Sequence, residues 1–222
     1  PPTYERHRLD DQFRSEGACH ADIDRDGNQD IIGGPYWYRG PDFTDRHELY
    51  EPQVFDPEKY SDNFFCHPHD FNLDGWVDIL VVGFPGEATY WYENPGGDST
   101  KRWKQWLVFE RVDGEQAAFA DLNGDLAPEL VFGYQGRLVW AEPTSDVYAP
   151  WQHHPLSSTE IGWTRYTHGL GVGDVNGDGR VDVITRQGWL EQPKDMTSEW
   201  PMHRLLLSEN GGAQIHVSDM DR

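Results

Sequence analysis

The side chains best suited to chemistry in this chain are carboxylates that recur at fixed spacing. Asp22, Asp24, Asp26 and Asp30 take positions 1, 3, 5 and 9 of a nine-residue stretch, with Asn28 at position 7. The same positions hold Asp70, Asn72, Asp74, Trp76 and Asp78, then Asp121, Asn123, Asp125, Ala127 and Glu129, then Asp174, Asn176, Asp178, Arg180 and Asp182. A fifth copy starts at Asp219 and is cut short at 219–222. Successive starts lie 48, 51, 53 and 45 residues apart, so one supersecondary unit is used repeatedly.

Oxygens at positions 1, 3, 5 and 9, with the backbone carbonyl of position 7, form a donor set for a hard cation. Ca2+ takes six to eight oxygens at about 2.3–2.6 Å and tolerates a flexible loop. About one Ca2+ is expected per full loop, at 22–30, 70–78, 121–129 and 174–182. Glycine at position 6 allows a sharp turn around the ion. It is present as Gly27, Gly75 and Gly179, whereas the third loop has Leu126 there and Gly124 two residues earlier, so that site is expected to be the weaker one. Asp, Asn and Gly also favour metal-free turns. Four full copies, each with an acid at position 9, weigh for the metal. An EF-hand is excluded, because it needs Glu at position 12 and flanking helices.

The elements that must position these loops read as strands. Ile31-Ile32, Ile79-Leu80-Val81-Val82, Leu130-Val131-Phe132 and Val183-Ile184-Thr185 follow the loops as short apolar runs ended by glycine. A second strand follows at Tyr36-Trp37-Tyr38, Tyr90-Trp91-Tyr92, Leu138-Val139-Trp140 and Trp189-Leu190, and a later one at Trp106-Leu107-Val108-Phe109. No helix is expected. Aromatics make up 14% of the chain, which supplies large packing area although only 36% of residues are apolar.

The formal charge of −21 excludes nucleic acid as a natural partner. Thirteen carboxylates lie in the four full loops, so the acidity reports cation binding more than a macromolecular partner. Unfilled loops would repel themselves, and metal-binding energy would therefore appear as folding energy. There is no membrane span, and Pro1-Pro2-Thr3 reads as a mid-protein start. Loops of this kind work where calcium is abundant, so an extracellular or periplasmic location is expected, with the leader outside this chain.

The unit Asp-x-Asp/Asn-x-Asp-Gly-x-x-Asp, followed by three or four apolar residues and glycine, resembles the FG-GAP or VCBS repeat. That resemblance implies an all-β fold, a β-propeller in which each repeat is a four-stranded blade. Residues 1–222 would form a single, incomplete propeller domain, part of a larger ring of about seven blades. Further blades or domains of the same protein would then be its neighbours. More narrowly, residues 34–38, 60–65, 90–97, 165–171 and 211–214 resemble the propeller domain of aldos-2-ulose dehydratases. This implies a carbohydrate-active lyase that removes water from a keto-sugar. The alternatives are a non-catalytic glycan- or protein-binding module and a structural spacer.

In a propeller, the segments just before the loops would line a central channel. They contain Cys19-His20, Cys66-His67-Pro68-His69, Tyr166-Thr167-His168 and Ile215-His216. His20, His67, His168 and His216 are candidate ligands for a channel metal such as Zn2+, which would polarise a substrate carbonyl. His168, Tyr166, His20 and His67 are the candidate catalytic residues that would move a proton during elimination. The competing expectation is that these histidines only pack and hydrogen-bond. Pro68 would mark a bulge that aligns Cys66-His67 with Cys19-His20. Cys19 and Cys66, on neighbouring blades, are expected to be buried thiols too far apart to bond. His7, His47 and His203 sit in similar contexts and read as outer-strand packing residues.

Overall fold

A computed structural model describes residues 4–98, 100–209, 212 and 214–218. The fifth loop, Gly211 and Ala213 lie outside the described residues. The chain divides into two compact units, Pro1–Phe84 with Ala88–Val108, and Pro85–Glu87 with Phe109–Arg222. Among the described residues the strands form three antiparallel sheets, and the only helical turn is a 3-10 turn at Thr159–Ile161.

Among the described residues each unit contains two full repeats. In unit 1 the first repeat is β1 (Ala18–Ala21), β2 (Asp30–Gly33), β3 (Tyr36–Tyr38) and β4 (Arg46–Glu48), paired in that order. The second is β5 (Phe65–His69), β6 (Asp78–Val82), β7 (Glu87–Glu93) and the first part of β8 (Lys104–Ala120). In unit 2 the third repeat is the rest of β8 with β9 (Glu129–Tyr134), β10 (Arg137–Glu142) and β11 (Gln152–Pro155). The fourth is β12 (Leu170–Gly173), β13 (Asp182–Thr185), β14 (Gly188–Leu190) and β15 (Met202–Arg204). Each of the four full acidic loops joins the first strand of its repeat to the second.

Burial explains the strand choice. All five residues of β6 and all four of β13 are buried, so the second strands read as unbroken apolar runs after the loop acid. On the third strand a tryptophan stacks on its cross-strand partner: Trp37 on His47 at 4.3 Å, Trp140 on His154 at 4.3 Å and Trp189 on His203 at 4.2 Å between ring centroids. Each pair is in direct register. In the second repeat Trp91 and Trp106 occupy these places. His47 and His203 are thus strand-packing residues, as expected.

Among the backbone bonds that join neighbouring repeats within a unit, one recurs in both units. Trp103 N–H donates to Leu49 C=O (2.7 Å) in unit 1, and Trp200 N–H donates to Leu156 C=O (2.9 Å) in unit 2. Leu49 and Leu156 are fully buried, whereas Leu205, two residues after its stacked histidine like them, is 59% exposed.

Two expectations are overturned in unit 1. Cys19 and Cys66 are not thiols but a disulfide, with Cα atoms 5.7 Å apart. The first strands of consecutive repeats run side by side, which brings residues 47 apart in sequence within bonding reach. Pro68 marks no bulge either. The β5–β6 register runs without a break from Phe65↔Val82 to His69↔Asp78. β5 lies at a sheet edge, where a residue without N–H is tolerated.

Candidate functional site

The four full loops share one hydrogen-bond scheme. The position 1 carboxylate accepts the position 6 N–H: Asp22 from Gly27 (3.0 Å), Asp70 from Gly75 (2.7 Å), Asp121 from Leu126 (3.0 Å) and Asp174 from Gly179 (2.9 Å). Position 3 accepts from the N–H of position 5, and position 5 from that of position 7. The position 9 acid reaches back to the N–H of position 2: Asp30 to Ile23 (2.7 Å), Asp78 to Phe71 (3.0 Å), Glu129 to Leu122 (2.6 Å) and Asp182 to Val175 (2.9 Å). The chain is thereby wound around a core of oxygens.

That winding needs left-handed backbone at two positions rather than one. Position 6 has φ of 87°, 87°, 75° and 85° at Gly27, Gly75, Leu126 and Gly179. Position 4 has φ of 60°, 58°, 82° and 76° at Arg25, Leu73, Gly124 and Gly177. The third loop, with Leu126 in place of the position 6 glycine, keeps the same conformation. Its glycine serves position 4 instead, and the Leu126 side chain stands in solvent. The cost is a non-glycine residue in the left-handed region, about 1–2 kcal/mol.

In the first loop, oxygens of Asp22, Asp24 and Asp30 come within 4.8 Å of one another. This is the one cluster of three acidic, cysteine or histidine ligands among the described residues. Loops two to four carry Asn72, Asn123 and Asn176 at position 3, whose side-chain oxygen is neutral. The position 9 acids are the buried ones. Burial raises Asp78 and Glu129 to about 7, and it raises Asp30 and Asp182 as well. Neighbouring loop carboxylates add to the rise, and donated backbone N–H bonds oppose it. A cation inside the loop would supply the positive charge that keeps such a carboxylate ionised. The donor set, all hard oxygens with one buried acid per loop, fits Ca2+.

Cationic side chains modify the first and fourth loops. Arg39 Nε lies 2.8 Å from Asp24 and 3.3 Å from Asp26. It stands where the other repeats have Glu93, Glu142 and Glu191. Arg180 pairs with Asp178 and donates to Gln192 C=O (2.8 Å). The three glutamates serve the stacked aromatic pairs. Glu93 accepts from Trp106 Nε1 (2.8 Å), Glu142 meets His154 (2.9 Å) and Glu191 meets His203 (2.6 Å).

A family model for the FG-GAP-like repeat matches residues 70–132 and 121–185, together just over half of the chain. The chain belongs to the FG-GAP-like repeat family. Loop 22–30 lies outside the matched residues, yet its hydrogen bonds repeat the scheme of the FG-GAP-like loops inside them. No curated protein matches the chain.

The candidate channel residues are arranged differently from the loops. On β1, His20 is exposed and its Nδ1 meets Gln29 Oε1 at 2.9 Å. His67 lies on β5, where burial lowers its pKa to about 4, so the ring is neutral. His168 is not on a strand: β12 begins two residues later, after Gly169 at φ 90°, and His168 Nδ1 meets Gly212 C=O at 3.0 Å. Tyr166 is half exposed, and His216 is exposed beyond Gln214, which bridges to Leu170. Among the described residues of either unit, no three metal ligands that include a histidine come together, so ligand geometry gives the Zn2+ reading no support.

Two features escaped sequence reasoning. The left-handed requirement at position 4 was legible only as Gly124 and Gly177, because Arg25 and Leu73 conceal it. The residue after Arg39, Glu93, Glu142 and Glu191 also matters: Gly40, Asn94, Pro143 and Gln192 differ in ways that decide how loops connect.

Proposed function

We propose that this chain is a calcium-stabilised β-propeller module of an exported protein, whose repeats hold a surface for a carbohydrate or other small ligand. The observation that carries the calcium reading is the convergence of Asp22, Asp24 and Asp30 oxygens within 4.8 Å, in a loop whose hydrogen bonds recur in three more copies. The Cys19–Cys66 disulfide supports export, since such bonds persist in oxidising compartments. The four-stranded antiparallel repeats support the propeller. No helix among the described residues is long and apolar enough to cross a membrane.

The test is metal content of the desalted protein by mass spectrometry, alongside thermal melts with and without chelator. Bound calcium and a lower melting temperature in chelator are expected. No calcium together with superimposable melts would sink the proposal.

A second reading is elimination from a keto-sugar, with His67, on the strand that leads into the second acidic loop, as one candidate for moving the proton. On this reading Tyr166, His20 and His168 are further candidates. Loss of elimination in His67→Ala, with calcium uptake retained, is its expected signature.

A further inference from the structure

The position 9 acid of each even-numbered loop is tied to the loop before it. In unit 1, Asp78 accepts the backbone N–H of Asn94 (2.8 Å), and the Asn94 side-chain amide donates to Ile23 C=O (3.0 Å). Ile23 is position 2 of the first loop, and its own N–H goes to Asp30. In unit 2, Asp182 accepts the N–H of Gln192 (2.9 Å), the Gln192 amide donates to Leu122 C=O (2.7 Å), and Leu122 N–H goes to Glu129 (2.6 Å). Both amide residues are buried, at 3% and 4% exposure. Thus one position 9 carboxylate reaches the next through two residues and three hydrogen bonds, twice in the molecule. The corresponding residues of the first and third repeats are Gly40 and Pro143, and neither has a side-chain amide.

Resting on the calcium reading above, we infer that Asn94 and Gln192 are positioning residues that couple the calcium loops in two pairs, the first with the second and the third with the fourth. Filling the fourth loop fixes Asp182, and with it the backbone of Gln192. The Gln192 amide then holds the Leu122 peptide in the conformation that its own loop needs. The third loop has less ordering left to do when its ion arrives, so its affinity rises. Linkage makes the effect reciprocal. Unit 1 carries an additional contact between its loops, Arg25 over the Trp76 ring at 4.4 Å. In unit 2 the corresponding position 4 residue is Gly124, which makes Gln192 the cleaner test.

The experiment uses the full chain and Ca2+ alone. Hydrogen exchange of residues 121–129, followed against free Ca2+, gives the midpoint of the third loop. Asp174→Ala disables the fourth loop and is expected to raise that midpoint about five- to tenfold. In a Gln192→Ala background the same substitution is expected to move it less than about twofold, as a broken linkage requires. Gln192→Leu, similar in length, repeats the measurement should the alanine variant fold poorly. Asp22→Ala, in the other pair, is expected to leave the third loop unmoved. An Asp174→Ala effect that persists without the Gln192 amide overturns the assignment. So does an unchanged midpoint in Asp174→Ala while calcium still protects residues 121–129. Absence of any calcium-dependent protection in the wild-type chain instead overturns the calcium reading itself.

Discussion

Units 1 and 2 solve one problem with different chemistry. In both, the first strands of two consecutive repeats must be held side by side where they enter acidic loops. Unit 1 joins them covalently, three residues before Asp22 and four before Asp70, through Cys19–Cys66. Unit 2 uses Gln116, whose side-chain oxygen accepts the N–H groups of Gly169 and Leu170, each at 3.1 Å. The covalent link acts on the unfolded chain, whereas the amide link acts on the folded one. The repeat therefore specifies where an anchor is needed and leaves its chemistry open.

The largest expected effect separates the two anchors. A disulfide closing a loop of this length contributes on the order of 4 kcal/mol in the chain-entropy account. Cys19→Ser with Cys66→Ser is expected to cost unit 1 that much, measured by hydrogen exchange under native conditions. Unit 2 peptides should keep their protection. Equal loss in both units would mean that they fold as one cooperative body and would break the comparison.

A pH series sharpens the contrast further. The folded-state pKa of His67 is depressed to about 4 by burial, from an ordinary 6.5. Above 6.5 neither state binds the proton, so nothing is lost. As pH falls from 6.5 toward 4 the unfolded chain protonates first, and stability of unit 1 declines with it. The full shift corresponds to at most about 3 kcal/mol, reduced by the ring's partial exposure. His67→Gln is expected to flatten the dependence of unit 1 protection over that range. An unchanged slope would assign the acid sensitivity elsewhere.

The smallest effect concerns the third loop. Leu126→Gly relieves a left-handed side chain and is expected to stabilise unit 2 by about 0.5–1 kcal/mol, after the glycine's greater unfolded-state freedom is deducted. Denaturant unfolding measures it. Destabilisation would show that Leu126 makes contacts that outweigh its backbone strain.

Much of this was legible in the sequence, and the reasons are physical. Period and loop chemistry gave the repeats because a cation loop constrains five positions at once. The β-branched runs after each loop gave the second strands because those residues are buried. The disulfide was not legible, since spacing along the chain does not reveal which first strands become neighbours. Nor was the alignment of histidines. His168 looked like a strand residue until Gly169 placed it before the strand, and Pro68 suggested a bulge that the register does not contain. The candidate cation site was legible at the loops, where chemistry is local. Function was not legible on the first strands, where it would depend on how distant segments converge.

The leucine that the first and third repeats each offer to the next has a consequence for the protein in a tube. Leu49 and Leu156 are covered by their successors, while Leu205, Leu206 and Leu207 stand 59%, 66% and 51% exposed in a row. Such an apolar flank is adhesive, and at neutral pH the charge of −21 keeps molecules apart. Near the sequence pI of about 4.6 that repulsion vanishes. Precipitation on mild acidification would then start from this flank while the fold is still intact, and a lysine at position 206 would be the simplest way to keep the protein in solution.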